Sequence, residues 1–125
     1  MKKVKHFTDL IVWQRSHGLF LDLLEDVKEI PANVISRIII DQIVRSVSAI
    51  SSNIAEGFNS RSTKQYLNYL DISKRTSAES ENWYYKLRDA KFLEKDIAEK
   101  RITECNEISM MIQGLINSLE KNKRI

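Results

Sequence analysis

Apolar residues along this chain recur at intervals of three and four positions in four long stretches, the period of helices with one buried face. The first stretch runs from about Thr8 to Glu29, with Leu10, Trp13, His17, Phe20, Leu24 and Val27 on one side. Thr8 or Asp9 can cap its start. Ile30-Pro31 ends it, because the residue before proline is biased away from helix. Asn33 is the expected cap of the second helix, which runs to Glu56 with Gly57 as its stop. The short loop Phe58–Arg61 follows. Ser62-Thr63-Lys64-Gln65 then has capping-box spacing, with Gln65 reaching back to Ser62. The third helix spans about Thr63 to Lys91. Tyr66, Tyr69, Ser73, Thr76, Ser80, Trp83, Leu87 and Ala90 share its face, and the small polar members invite close approach of a neighbour. A break near Phe92–Lys95 precedes the fourth helix, where Asp96 and Glu99 resemble a capping pair. Cys105, Ile108, Ile112, Leu115 and Leu119 form its stripe. The basic tail Lys121–Ile125 is expected to fray.

Four long helices with short connections predict an all-α, up-down-up-down four-helix bundle forming one domain over residues 1–125. The second helix is the most informative. Ile39, Ile40, Ile43, Val44, Val47, Ile50 and Ile54 make its apolar arc. Gln42, Arg45, Ala49, Ser52, Asn53 and Glu56 lie within about a third of the circumference on the other side. Small residues, amides and a candidate Arg45–Glu56 charge pair suit packing against another helix. Gln42, Arg45, Asn53 and Glu56 are therefore expected to be structural, at least partly buried and hydrogen-bonded to other helices. Two apolar triplets, Ile38-Ile39-Ile40 and Trp83-Tyr84-Tyr85, each cover about 200° of helix surface. One core cannot absorb both sides of each, so oligomerisation is expected.

Composition narrows the function classes. The chain has 125 residues, one Pro, three Gly and one Cys. The lone Cys105 excludes an internal disulfide and fits a reducing compartment; at a core position it reads as a buried small hydrophobe. No apolar run reaches the ~20 residues of a membrane span, and the basic N-terminus lacks a signal-peptide core, so a soluble cytoplasmic protein is expected. No Glu-x-x-His pair accompanies the helical carboxylates Glu56, Glu79 and Glu81, and His17 lies on an apolar stripe, so a metal centre is not supported. There is no phosphate-binding glycine loop and no Cys-x-x-Cys. A Ser52–His17 pairing has no motif behind it. No enzyme activity and no cofactor are expected.

The net charge of +3 permits nucleic-acid binding without demanding it. Lys64, Arg75 and Lys86 recur every eleven residues, about three helical turns, with Arg61 just ahead of them. Lys2, Lys3 and Lys5 make a basic arm, and Lys121, Lys123 and Arg124 a basic tail. Arg61, Lys64, Arg75 and Lys86 are the candidate phosphate contacts. A solvated face is the competing reading.

Several segments carry a family resemblance. They are Phe7-x-x-Leu10-x-Val12-Trp13-Gln14, Gln42-x-x-Arg45-Ser46, Ser52-Asn53-Ile54-Ala55-Glu56-Gly57, Tyr66-Leu67-x-x-Leu70 and Ser77-Ala78-Glu79-Ser80-Glu81-Asn82-Trp83. The chain resembles, over its full length, the bacterial four-helix bundle proteins related to the protein encoded in intervening sequences of large-subunit ribosomal RNA genes. The accessory variability protein of diversity-generating retroelements is a more distant relative. The resemblance implies a ring-like homopentamer, a role connected with RNA or DNA, and a partner of the reverse-transcriptase kind. It implies no catalytic residue. Gln42, Arg45, Asn53, Glu56 and Glu79 are read as structural members of the shared motifs. Seventeen acidic residues nearly offset twenty Lys plus Arg, a departure from a strongly basic pattern. Two functions stay open: a nucleic-acid-binding accessory protein, or a protein–protein scaffold that touches no nucleic acid.

Overall fold

A computed structural model of the chain describes residues 3–123. A 3₁₀ turn, Phe7–Asp9, leads into four α-helices: α1 (Ile11–Asp26), α2 (Val34–Phe58), α3 (Thr63–Asp89) and α4 (Lys95–Lys123). Each helix packs on its chain neighbours and α4 returns to α1, so α1/α3 and α2/α4 stand on the diagonals of an up-down bundle. Lys2 and Arg124 of the expected basic segments lie outside the described residues, and Lys121 continues α4 where fraying was expected.

The helix ends follow the orphan backbone donors. Asn33 and Ser36 cap α2 reciprocally: Ser36 N–H donates to Asn33 Oδ1 and Asn33 N–H to Ser36 Oγ, both at 2.9 Å. Ser62 caps α3 by accepting from Gln65 N–H, but the Gln65 side chain accepts from Arg61 N–H, one residue earlier than a closed box requires. The first helix departs more. His6, not Thr8 or Asp9, caps the 3₁₀ turn, and Asp9 accepts from the Lys5 and His6 amides. In α4, Asp96 sits inside the first turn rather than at the cap, where its charge complements the helix dipole. The turn after α3 puts Lys91 at φ 63°. Phe92 N–H then reaches Leu87 O and Lys91 N–H reaches Arg88 O, the two bonds of a Schellman stop.

Leu19, Leu23, Ile43, Val47, Ile50, Ile54, Leu70, Tyr84, Leu87, Ile108 and Ile112 are fully buried or nearly so. The α4 stripe forms as expected, with Leu115 and Leu119 at its half-buried end. The α3 face is rotated from expectation. Its buried positions are Leu70, Ser73, Ser77, Ser80, Tyr84 and Leu87. The reason is that α3 has two partners, so its buried arc centres between α2 and α4. Ser73 donates to Ile50 O on α2 at 2.8 Å, and Ser77 to Cys105 O on α4 at 2.9 Å. The Ser46 and Ser80 hydroxyls meet at 2.7 Å across α2 and α3. Small side chains let the backbones close in, and these serine hydroxyls each find a partner.

Gly57 does not stop α2, which continues to Phe58. Its role is close approach. A Cβ there would stand 2.8 Å from Tyr69 Cβ and 2.9 Å from the Tyr66 ring. Only a residue without a side chain lets α3 enter beside α2 at this point.

Candidate nucleic-acid interface

Antiparallel connection brings the α2–α3 turn and the C-terminal end of α4 to one end of the bundle. The N-terminal arm stops short of that end, folded on the first turns of α1 by Gln14 Nε2 donating to Thr8 O and by Phe7 against Trp13. Arg61, Lys64 and Lys121 are exposed side chains of that end, accompanied by Glu56 and Glu120, while Lys3 and Lys5 are exposed nearer the start of α1. The opposite end carries both signs of charge, with Asp22, Glu25, Asp26, Glu29, Glu94 and Asp96 beside Lys28, Lys91 and Lys95. The sequence shows a basic arm, a basic tail and a basic turn as three separate runs of charge. Topology brings the turn and the start of the tail to one end.

The α3 stripe divides accordingly. Arg61 and Lys64 belong to the basic end. Arg75 and Lys86 lie farther down, with about 33 Å of helix axis between Lys64 and Lys86. Arg75 pairs with Asp71 at 3.4 Å, and Glu79 and Asp89 are exposed on the same helix. Charges alternate along it, which dilutes the attraction for a phosphate backbone.

Residues expected to be structural are placed differently within the chain. Arg45 is 74% exposed and pairs with Asp41 at 3.0 Å, so the Arg45–Glu56 pair does not form. Gln42, Glu56 and Glu79 are exposed. Asn53 is half-buried and donates to Ala49 O of its own helix. None of the five bonds to another helix of the same chain. The physical reason is geometric: α3 and α1 cover the apolar arc of α2, and no fifth helix covers its polar arc. His17 is likewise exposed and stacks on Trp13 at 4.7 Å, and Ser52 donates to Ser48 O.

An open groove of about 760 Å³ lies against the basic end, between the last turn of α2 and the first turns of α3. Ala55, Glu56, Asn59, Arg61, Gln65, Asn68 and Tyr69 are among the residues lining it. The Ser-Asn-Ile-Ala-Glu-Gly motif builds it directly: Ile54 anchors the helix in the core, Ala55 and Glu56 face the groove, and Gly57 seats Tyr69. Ser60 donates to Gly57 O at 2.6 Å and fixes the turn. Sequence reasoning missed the groove. The available signal was a helical glycine opposite Tyr66-x-x-Tyr69.

The other polar concentration is structural. Arg101 on α4 is 12% exposed and makes a two-pronged contact with Asp26 of α1, which is 6% exposed, at 2.7 and 3.0 Å. Glu104 and Asp22 complete its surroundings at 3.0 and 3.5 Å. Beside it the Tyr84 hydroxyl is buried without a hydrogen-bond partner, and burial pushes its ionisation far above the usual phenol range. Burial also pushes the Cys105 thiol up to about 12, which removes it as a nucleophile at neutral pH. Among the described residues no group of three or more His, Cys, Asp or Glu side chains is placed to hold a metal ion. No helix among them is long and apolar enough to cross a membrane.

The family model of the 23S rRNA-intervening sequence protein matches residues 8–114, most of the chain. The chain belongs to the 23S rRNA-intervening sequence protein family. Among solved structures, a protein of unknown function from the S23 ribosomal protein family of Bacteroides thetaiotaomicron superposes with a TM-score of 0.76. It is 23% identical, and the match covers 85% of this chain and 98% of that one. At that identity it shows the shared helical fold. No curated protein matches. The family match includes the groove-building motif and the α2–α3 turn, but it starts after Lys3 and Lys5 and stops before Lys121.

Proposed function

We propose that this family member is a non-enzymatic, homo-oligomeric accessory protein that binds nucleic acid through the basic end of the bundle. The observation that carries the reading is that Arg61, Lys64 and Lys121 share one end of an otherwise balanced surface, with Lys3 and Lys5 exposed on the arm, on that half of the bundle. Phosphate contacts need clustered cations more than net charge. Arg75 and Lys86 serve as outlying contacts on the same helix.

Self-assembly supplies the affinity that one weakly charged chain lacks. Val34, Ile35 and Ile38 at the start of α2 are exposed, Val34 at 71% and Ile38 at 58%. Leu21 and Leu24 are exposed on α1, whose C-terminal end lies at the same end of the bundle. Apolar surface of this kind marks an interface. A homopentamer, the assembly that the resemblance implies, would carry five times +3, or +15, and present five basic ends at once. It would also give the exposed polar arc of α2, at Gln42 and Arg45 and away from the groove, another chain to pack against.

Light scattering after size exclusion is expected near five times 14.6 kDa, about 73 kDa. Fluorescence anisotropy with structured RNA and duplex DNA should show binding that falls steeply between low and moderate salt. Arg61→Glu with Lys64→Glu should abolish it, and Arg75→Glu with Lys86→Glu should weaken it less. A monomer at micromolar concentration overturns the assembly. No binding to either nucleic acid at low salt favours the alternative, a scaffold that recruits a protein such as a reverse transcriptase through the same apolar face.

A further inference from the structure

The groove beside the basic end has a lining that a phosphate-only site does not need. Glu56 faces into it. A carboxylate repels phosphate at short range, and it accepts hydrogen bonds from the N–H edge of a nucleobase. Asn59, Gln65 and Asn68 bring amide groups that both donate and accept, although the Gln65 carbonyl is already held by Arg61 N–H. Tyr69 contributes a half-buried aromatic ring whose position is set by the missing side chain at Gly57. Two cations stand beside the amides: Arg61 lines the groove and Lys64 follows in the first turn of α3. The volume of about 760 Å³ lies in the range of small-molecule sites and is open enough to admit a group from a larger chain.

We infer that the groove takes one unpaired nucleotide, its base against the Tyr69 ring and the amides, its phosphate held by Arg61 and Lys64. Sign decides the orientation. The carboxylate of Glu56 disfavours phosphate on the α2 side of the groove, and Arg61 with Lys64 holds it at the α2–α3 turn. A base inside a duplex cannot enter, because its face is stacked and its pairing edge is occupied. The protein therefore selects single strands, loops or bulges over continuous duplex. This inference rests on the nucleic-acid reading above and specifies which form of nucleic acid is bound.

The test uses the full chain in its native assembly, with a fluorescently labelled twelve-nucleotide single-stranded RNA and the same RNA as a duplex, at low salt. The single strand should bind about tenfold more tightly, the scale of one stacked base. Tyr69→Leu keeps the Cβ that packs on Gly57 and removes the ring; it should erase that preference and leave duplex affinity unchanged. Tyr69→Phe should retain the preference. Thermal unfolding of each variant confirms that the fold persists. Equal binding of both RNAs, lost on Arg61→Glu with Lys64→Glu, overturns the groove and leaves the basic end in place. A preference that survives Tyr69→Leu overturns it as well. Absence of binding to either RNA overturns both readings.

Discussion

The α2–α3–α4 side of the bundle and the α1 side are held by different chemistry. On the first, α3 enters between its neighbours through Ser73, Ser77 and Ser80, and through the side-chain-free Gly57. Backbones come close, and hydroxyls cross from α3 to carbonyls of α2 and α4. On the second, α1 lends Val12, Leu19 and Leu23 to the core and is then clipped by ion pairs. Arg101 to Asp26 is nearly buried, whereas Arg15 to Glu107 lies at the surface at 2.6 Å. Surface pairs contribute little, so the buried one matters most. The contrast teaches where this protein keeps its spare adhesive surface. The tightly interdigitated side exposes Tyr85 and Met110 singly, whereas α1 and the start of α2 together leave Leu21, Leu24, Val34, Ile35 and Ile38 exposed.

Breaking the α1 clip should have the largest effect. Arg101→Ala leaves Asp26 nearly buried without its cation and is expected to lower stability by about 3 kcal/mol. Urea unfolding at a fixed protein concentration measures this, because assembly would make the midpoint concentration-dependent. Hydrogen exchange should rise in α1 before α3. Replacing both partners, Asp26→Leu with Arg101→Met, should recover part of the loss, since the nearly buried Asp26 charge is removed and only Glu104 and Asp22, both more exposed, lose their cation. Equal loosening of α1 and α3 in Arg101→Ala would mean that the two sides do not differ as argued.

A smaller effect is expected at the tight side. Gly57→Ala places a methyl 2.8 Å from Tyr69 Cβ, an atom fixed to the α3 backbone. Overpacking of this kind costs about 1–3 kcal/mol, and the better helix propensity of alanine returns about 0.5–1 of it. A net loss of about 1 kcal/mol, read as a lower melting temperature, is the expected outcome. A stabilised variant would show slack between α2 and α3 and would weaken the claim that Gly57 positions Tyr69.

The helices were legible because their signals are local. Asn33, Ser62 and Pro31 act on neighbouring backbone, and the three-four spacing of Cys105, Ile108 and Ile112 needs only one helix to be read. What the sequence hid is relational. Ser77 and Tyr84 became core because α3 packs on two helices at once, a rotation that no single-helix pattern contains. The polar arc of α2 looked like packing surface, yet Arg45 and Glu56 face outward because the chain offers them no partner helix. Arg101 and Asp26 are 75 positions apart and carry no motif. The basic end was equally invisible, since its cations come from the end of α4 and from the α2–α3 turn with the helix start after it. Arg61 and Lys64 were found as sequence candidates, but the groove beside them was not, because Glu56 and Tyr69 meet only through the α2–α3 turn.

The smallest prediction tests the junction of the two sides. Tyr84 projects from the serine-packed face of α3 towards the Arg101 cluster, and its ring is fully buried. The serines around it satisfy their hydroxyls on carbonyls, whereas the Tyr84 hydroxyl has no hydrogen-bond partner among the described residues. A stranded buried hydroxyl costs about 1–3 kcal/mol of desolvation, and the ring packs equally well without it. Tyr84→Phe should therefore raise stability, by about 1 kcal/mol once the core has settled around the lost oxygen. Denaturant unfolding of the variant beside the parent decides the sign. Destabilisation would mean that the hydroxyl is satisfied in solution, and that the α1 clip extends through Tyr84 into the core of α3 rather than ending at Asp26.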